Sequence, residues 1–226
     1  MSNDAPAYAV PDPFTAAPPD GAELAAHVAA KICHDLISPV SAIVSGLDLL
    51  EDEGSQDMRE DAMDLIAASA RKLAAALTFC RVAFGASASA ETFDARELEK
   101  LARGVFDHLR ADLDWAVEAP SLDKPAARAL LNLAQIGGQA LPTGGVARLT
   151  AGAQDEHFVI TLDARGPRAR LRPETAEGLK GLALSEGMAG QWVQAYYLHA
   201  LVTAAGGVIV SAAEAERVTA EIRLPL

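Results

Sequence analysis

Cysteine is nearly absent from the 226 residues: only Cys33 and Cys80 occur, neither in a C-x-x-C nor in a Cys/His cluster. That spacing excludes a zinc-ribbon type of site and a disulfide framework, and points to a reducing compartment. Aromatic residues are scarce at 5%. Positive charge is in deficit, with 19 Lys and Arg against 31 Asp and Glu, a net charge of −12. A chain of that sign is repelled by phosphate backbones and anionic lipid surfaces, which argues against nucleic acid and membrane as partners. No stretch of ~18 residues is free of both charge and glycine, so no membrane span is expected. The first residues lack a basic segment followed by an apolar core, so no secretory leader is expected either. These absences together predict a cytoplasmic protein.

What is present is helix. Residues 1–19 carry Pro6, Pro11, Pro13, Pro18 and Pro19 among alanines and are expected to be a disordered tail. Asp20 followed by Glu23 reads as a capping box. From there Leu24, Val28, Ile32, Leu36, Val40, Ile43, Leu47 and Leu50 recur at steps of three or four, the helical period. "EDEGSQ" (51–56) breaks the pattern. A second apolar stripe follows through Met58, Ala62, Leu65, Ile66, Leu73, Leu77, Cys80 and Phe84, ending at Gly85. Two long helices and a short turn make an antiparallel hairpin. Alone, it leaves much of its apolar stripe wet. A second copy would complete a dimeric four-helix bundle.

After the small-residue linker "GASASA" (85–90) the pattern changes. Helices are expected in "DARELEKLARGVFDHL", in "DKPAARALLNLAQIGGQAL" with loosening at Gly137-Gly138, and in "GQWVQAYYLHALVTAAGG". Strands are expected in "LDWAV", "GGVARLTAG", "EHFVITLDA", "VIVSAA" and "VTAEIRLPL". This mixture predicts an α+β sandwich, one sheet with helices on one face. The expected division is therefore a tail at 1–19, a helical hairpin at 20–86 and an α+β domain at 87–226.

One stretch of the first helix carries chemistry: "KICHDLISPVSAI" (31–43). At about 100° per residue, His34 lies about 200° from Ile32 and about 160° from Leu36, so it points away from the apolar stripe. Its neighbours on that face, Ala30, Ser38, Ser41 and Ser45, are all small. They leave the imidazole open to a docking partner. Asp35 is placed to hold Nδ1 protonated, which keeps the lone pair on Nε2. Pro39 removes the hydrogen bond to the carbonyl of residue 35 and should bend the helix. Lys31, one turn earlier and about 60° away around the helix, is either a contact for a phosphoryl group or a solvated lysine. Of the other histidines, His27 lacks the adjacent carboxylate, and His199 is expected to be packed within its helix.

"HDLISP" resembles the phosphoacceptor H-box of sensor histidine kinases: His, an acid, three residues, Pro. The hairpin resembles their dimerisation and histidine-phosphotransfer domain, and the second half their ATP-binding domain of the GHKL type. "ALLNLAQIGGQALPTGGVARL" is similar to the N-box region, and "EGMAGQWVQAYYLHALVTAAGGVIVS" with the closing "TAEIRLPL" to the final helix and strands. The resemblance covers roughly residues 20–226, with three departures. Asn132 matches the first N-box asparagine, but Ile136 stands where a second would bind Mg²⁺, and isoleucine offers that cation no oxygen. "DARGPR" (163–168) keeps one glycine of the adenine box, with Arg165 intruding. "EGMAGQW" (186–192) crowds the lid with Met188, Gln191 and Trp192.

A phosphoacceptor helix joined to a degraded nucleotide site resembles the histidine phosphotransferases of the ChpT type. That resemblance implies a phosphorelay enzyme without ATP-dependent kinase activity. It implies His34 as phosphoacceptor, Asp35 orienting it, Lys31 as a phosphoryl contact, and Ala30, Ser38, Pro39, Ser41 and Ser45 as the docking face. It further implies a homodimer, no cofactor on this chain, Mg²⁺ held by the partner receiver domain, and partners of the CckA type (a hybrid kinase receiver) and the CtrA and CpdR types (response regulators). Two other readings stay open from the sequence: a divergent ATP-dependent histidine kinase core, and a non-catalytic dimeric GHKL scaffold of the anti-sigma kind.

Overall fold

The computed structural model describes residues 19–85, 91–184 and 189–226, without the side chains of residues 53, 55 and 56. The expected tail, most of the "GASASA" linker and Glu186 to Met188 of the lid lie outside the described residues.

Helix α1 spans Gly21–Glu51. Asp20 caps it by accepting from the amides of Ala22 and Glu23, both at 2.8 Å. The helix runs through Pro39 without interruption. A 3-10 turn, Glu53–Met58, leads into α2, Arg59–Ala83. The two helices pack side by side. Gly46 marks the closest approach, because a Cβ there would sit 2.6 Å from Cγ1 of Ile66 and 3.2 Å from the carbonyl of Ala62. By length and composition alone α1 is long and apolar enough to cross a membrane, a property that core helices of soluble proteins share. Its polar middle and its packing on α2 give it a different environment here.

The apolar stripe is only partly covered. Leu24, Val28, Ile32, Leu36, Ile43 and Leu50 are half-buried, and Val40 and Leu47 are exposed at 42% and 47%. On α2, Leu65 and Leu77 are exposed as well. One neighbouring helix cannot surround a stripe more than 100° wide.

The second half forms a five-stranded mixed sheet in the order β2-β4-β5-β7-β6. Its strands are β2 (Ala111–Val117), β4 (Gly145–Gln154), β5 (His157–Arg165), β6 (Val208–Glu214) and β7 (Arg217–Pro225). The β2–β4 pair is parallel and the others are antiparallel. Helices α3 (Ala95–Phe106), α4 (Lys124–Gln139), α5 (Pro173–Leu179) and α6 (Ala189–Ala204) complete the domain. A two-stranded ribbon, β1 (Thr92–Asp94) and β3 (Ser121–Asp123), had no sequence signal strong enough to predict, and neither did α5.

Strand alternation sends Ala147, Leu149, Ile160, Leu162, Val218 and Ile222 into one core with Leu130, Leu131 and Leu133 of α4 and Leu98 of α3. Burying each such leucine contributes about 1.5–3 kcal/mol. Phe79, Val82 and Ala83 of α2 join the same core, so the end of the hairpin is anchored in the α/β half. The loosening expected at Gly137-Gly138 does not occur, and α4 continues through both. These glycines provide close approach instead: a Cβ on Gly137 would meet Cδ1 of Leu162 at 2.5 Å, and one on Gly138 would meet Cδ1 of Leu109 at 2.5 Å.

Candidate functional site

His34 lies in the middle of α1 with its side chain 81% exposed, on the face away from the apolar stripe. Ala30, Ser38, Ser41 and Ser45 are exposed around it. Pro39, expected on that docking face, is buried. It stands seven residues before Gly46, hence on the same stripe, which rests against α2. The proline therefore shapes the inner side of the helix, and the open surface beside His34 is built from alanine and serines.

The acid and the cation are arranged more tightly than the sequence suggested. Lys31 is only 7% exposed, so it is not a solvated lysine. Its Nζ donates to Oδ2 of Asp35 at 2.5 Å, an i, i+4 pair on the helix. The other oxygen, Oδ1, lies 3.5 Å from Nδ1 of His34. One carboxylate thus bridges the ammonium and the imidazole. Cys80 of α2 faces the pair. Burial pushes its thiol up, with Lys31 pulling down and Asp35 adding a smaller push up.

The α/β half comes to the same place. Ala189 and Gly190, at the start of α6, line a cleft of about 310 Å³ together with His27, Ala30, Lys31 and His34. Trp192 holds this contact. Its ring meets His27 edge-on with centroids 6.0 Å apart, stacks on Tyr196, and its Nε1 donates to the carbonyl of Leu182 at 2.9 Å. Sequence reasoning treated His27 and Trp192 separately and missed the pairing, since 165 positions divide them and no local pattern links them. His199 is packed as expected, its Nδ1 3.1 Å from the carbonyl of Leu179.

The residues that match the kinase nucleotide boxes have protein partners. Asn132 is fully buried. Its Nδ2 donates to the carbonyls of Ala83 (3.0 Å) and Arg128 (2.9 Å), and its Oδ1 accepts from Nε2 of Gln194 at 3.4 Å. Arg128 donates in turn to the carbonyl of Gly85. The N-box asparagine therefore ties α4 to the end of the hairpin. Ile136 is buried among the core apolar residues at 2% exposure. Asp163 lies on the sheet face opposite α4. Arg165 and Arg217 both fork onto its carboxylate, at 2.9–3.1 Å and 2.9–3.0 Å. Those bonds hold its pKa at about 2, against an ordinary 3.8.

The chain is similar to known proteins along most of its length. The sequence profile of the histidine phosphotransferase C-terminal domain matches residues 95–217. The protein phosphotransferase ChpT of Brucella abortus (strain 2308) is 39% identical over 197 residues, 86% of this chain and 92% of that protein. The solved structure of a bacterial phosphotransferase superposes with a TM-score of 0.80 at 33% identity, covering 93% of this chain and 98% of that one.

Proposed function

The chain belongs to the histidine phosphotransferase family, and we propose on that premise that His34 is the phosphoacceptor of a reversible relay between receiver-domain aspartates. The protein is a phosphotransferase of a phosphorelay, and its partners are receiver domains. The observation that carries the assignment to His34 is its geometry: an imidazole 81% exposed, ringed by small side chains, with a carboxylate at Nδ1.

The step follows from that geometry. Nε2 of His34 attacks the phosphorus of an aspartyl phosphate. The P–N bond forms as the acyl P–O bond breaks, and the aspartate leaves with the electron pair. Nδ1 keeps its proton toward Oδ1 of Asp35, which orients the ring and offsets the positive charge it acquires. Transfer to another receiver runs the same step backward. Positioning is this chain's main contribution. The Mg²⁺ that neutralises the moving phosphoryl group is assigned to the receiver, as hard oxygen ligands there suit it.

The finer parts of the reading have the following support. The half-wet stripe of α1 and α2 supports self-association of the hairpin 20–86 into a four-helix bundle, with the α/β domain (87–226) outside it. A hybrid-kinase receiver of the CckA type and regulators of the CtrA and CpdR types are the proposed partners, and the cytoplasm is the proposed location, testable by cell fractionation. The absence of a nucleotide cofactor is supported by Asn132, whose amide already bonds the ends of the hairpin and α4, and by Ile136 in the core.

Incubation with a radiolabelled phospho-receiver in the absence of ATP tests the relay directly. Label should appear on this chain and be lost on adding an unlabelled second receiver. Calorimetry with ATP and Mg²⁺ should show no heat of binding at micromolar protein. Micromolar affinity would revive the kinase reading.

A further inference from the structure

The Lys31–Asp35 pair is buried at its ammonium end and open at its carboxylate end. A lysine on the exposed face of α1 would be solvated. Lys31 instead has 6% of its side chain accessible, and its Nζ is engaged by Oδ2 of Asp35 at 2.5 Å. The carboxylate is 39% exposed, and its second oxygen faces His34. A carboxylate orients an imidazole only while its own side chain is held in one place. The ammonium on Oδ2 supplies that hold, and leaves Oδ1 free to face the ring.

We propose that Lys31 is a positioning residue for the phosphoacceptor: its buried ammonium holds Oδ2 of Asp35, so that Oδ1 stays aimed at Nδ1 of His34 and orients the imidazole. The inference rests on His34 as the phosphoacceptor. It replaces a direct contact between Lys31 and the phosphoryl group, since the ammonium already has a partner. The other titratable groups at this place are Cys80, facing from α2, and His27 on α1. Among the described residues of α6, only Ala189 and Gly190 line the cleft.

The test uses the full chain and four variants: Lys31→Met, Asp35→Asn, the double variant, and His34→Ala. The readout is phosphoryl uptake over a range of concentrations of a phosphorylated receiver, with circular dichroism as a check of fold. Lys31→Met should lower kcat about fivefold and leave KM within about twofold, because the ring is less well aimed while the docking face is intact. In the Asp35→Asn background the lysine substitution should have no further effect, since the carboxylate through which it acts is gone. No change in kcat, or a loss that adds to that of Asp35→Asn, would overturn the proposal and leave Lys31 a residue of packing. Should Lys31→Met unfold, Lys31→Arg decides instead, because it keeps a cation within reach of Asp35: kcat near native supports the proposal, and a loss as large as that of Asp35→Asn overturns it. Uptake of label by His34→Ala would overturn the underlying reading instead.

Discussion

At residue 34 the local chemistry and the local packing separate cleanly. The imidazole is 81% exposed at the rim of its cleft, so removing it should cost little stability. His34→Ala should abolish phosphoryl uptake while leaving the circular dichroism spectrum and melting temperature close to native, since alanine is a good helix former. Asp35→Asn should slow uptake by roughly tenfold, because the amide orients the ring less well but Nε2 remains. Ser41→Arg should weaken receiver docking by bulk on an exposed position, read as a raised KM with an unchanged fold. His27→Ala is the contrasting variant: its ring meets Trp192 edge-on, so label uptake should persist.

Among the elements, β5 and β7 are joined across the sheet by the carboxylate of Asp163. Asp163 bridges Arg165 of its own strand and Arg217 of the next. Its pKa of about 2 in the folded chain lies below the ordinary 3.8, so the unfolded chain binds the proton more readily. The stability this carboxylate contributes is complete above about pH 4 and is lost as pH falls towards 2. Asp163→Asn should therefore lower the melting temperature at pH 7 and make no difference near pH 2; an equal deficit at both would disprove the linkage. In α4, Gly137→Val would force a side chain into Leu162, which lies 2.5 Å from the position of a Cβ there. Overpacking of this kind costs about 1–3 kcal/mol, readable as a lower denaturation midpoint.

For the whole molecule, the uncovered stripe of the hairpin is the largest open question of packing, and the dimer proposed above answers it. Val40, Leu47, Leu65 and Leu77 remain exposed in one chain, although each would be worth about 1.5–3 kcal/mol if buried. Light scattering at micromolar concentration should give twice the chain mass. Val40→Glu with Leu47→Glu should return it to the mass of one chain without loss of helix; a native protein of single-chain mass would contradict the bundle. The α/β half need not change in that experiment, because its core is closed within each chain.

The capping aspartates, the helical periods and the strand alternation are local properties, and for that reason α1, α2, α3 and the five long strands could be read from the residues in order. The H-box was legible on the same ground, since His34, Asp35 and Pro39 lie within six residues of one helix. What depended on distant contacts was not legible. Lys31 is buried although its helix face reads as polar, and Pro39 is buried on the stripe that rests against α2. The role of the Gly137-Gly138 pair depends on Leu162 and Leu109, not on its neighbours in α4. The pairing of His27 with Trp192, and the bond by which Asn132 ties α4 to the hairpin, arise where chain segments far apart in sequence meet. Periodicity reports which side of an element is apolar; only the tertiary structure decides which partner that side receives, because the partner is brought by the rest of the fold.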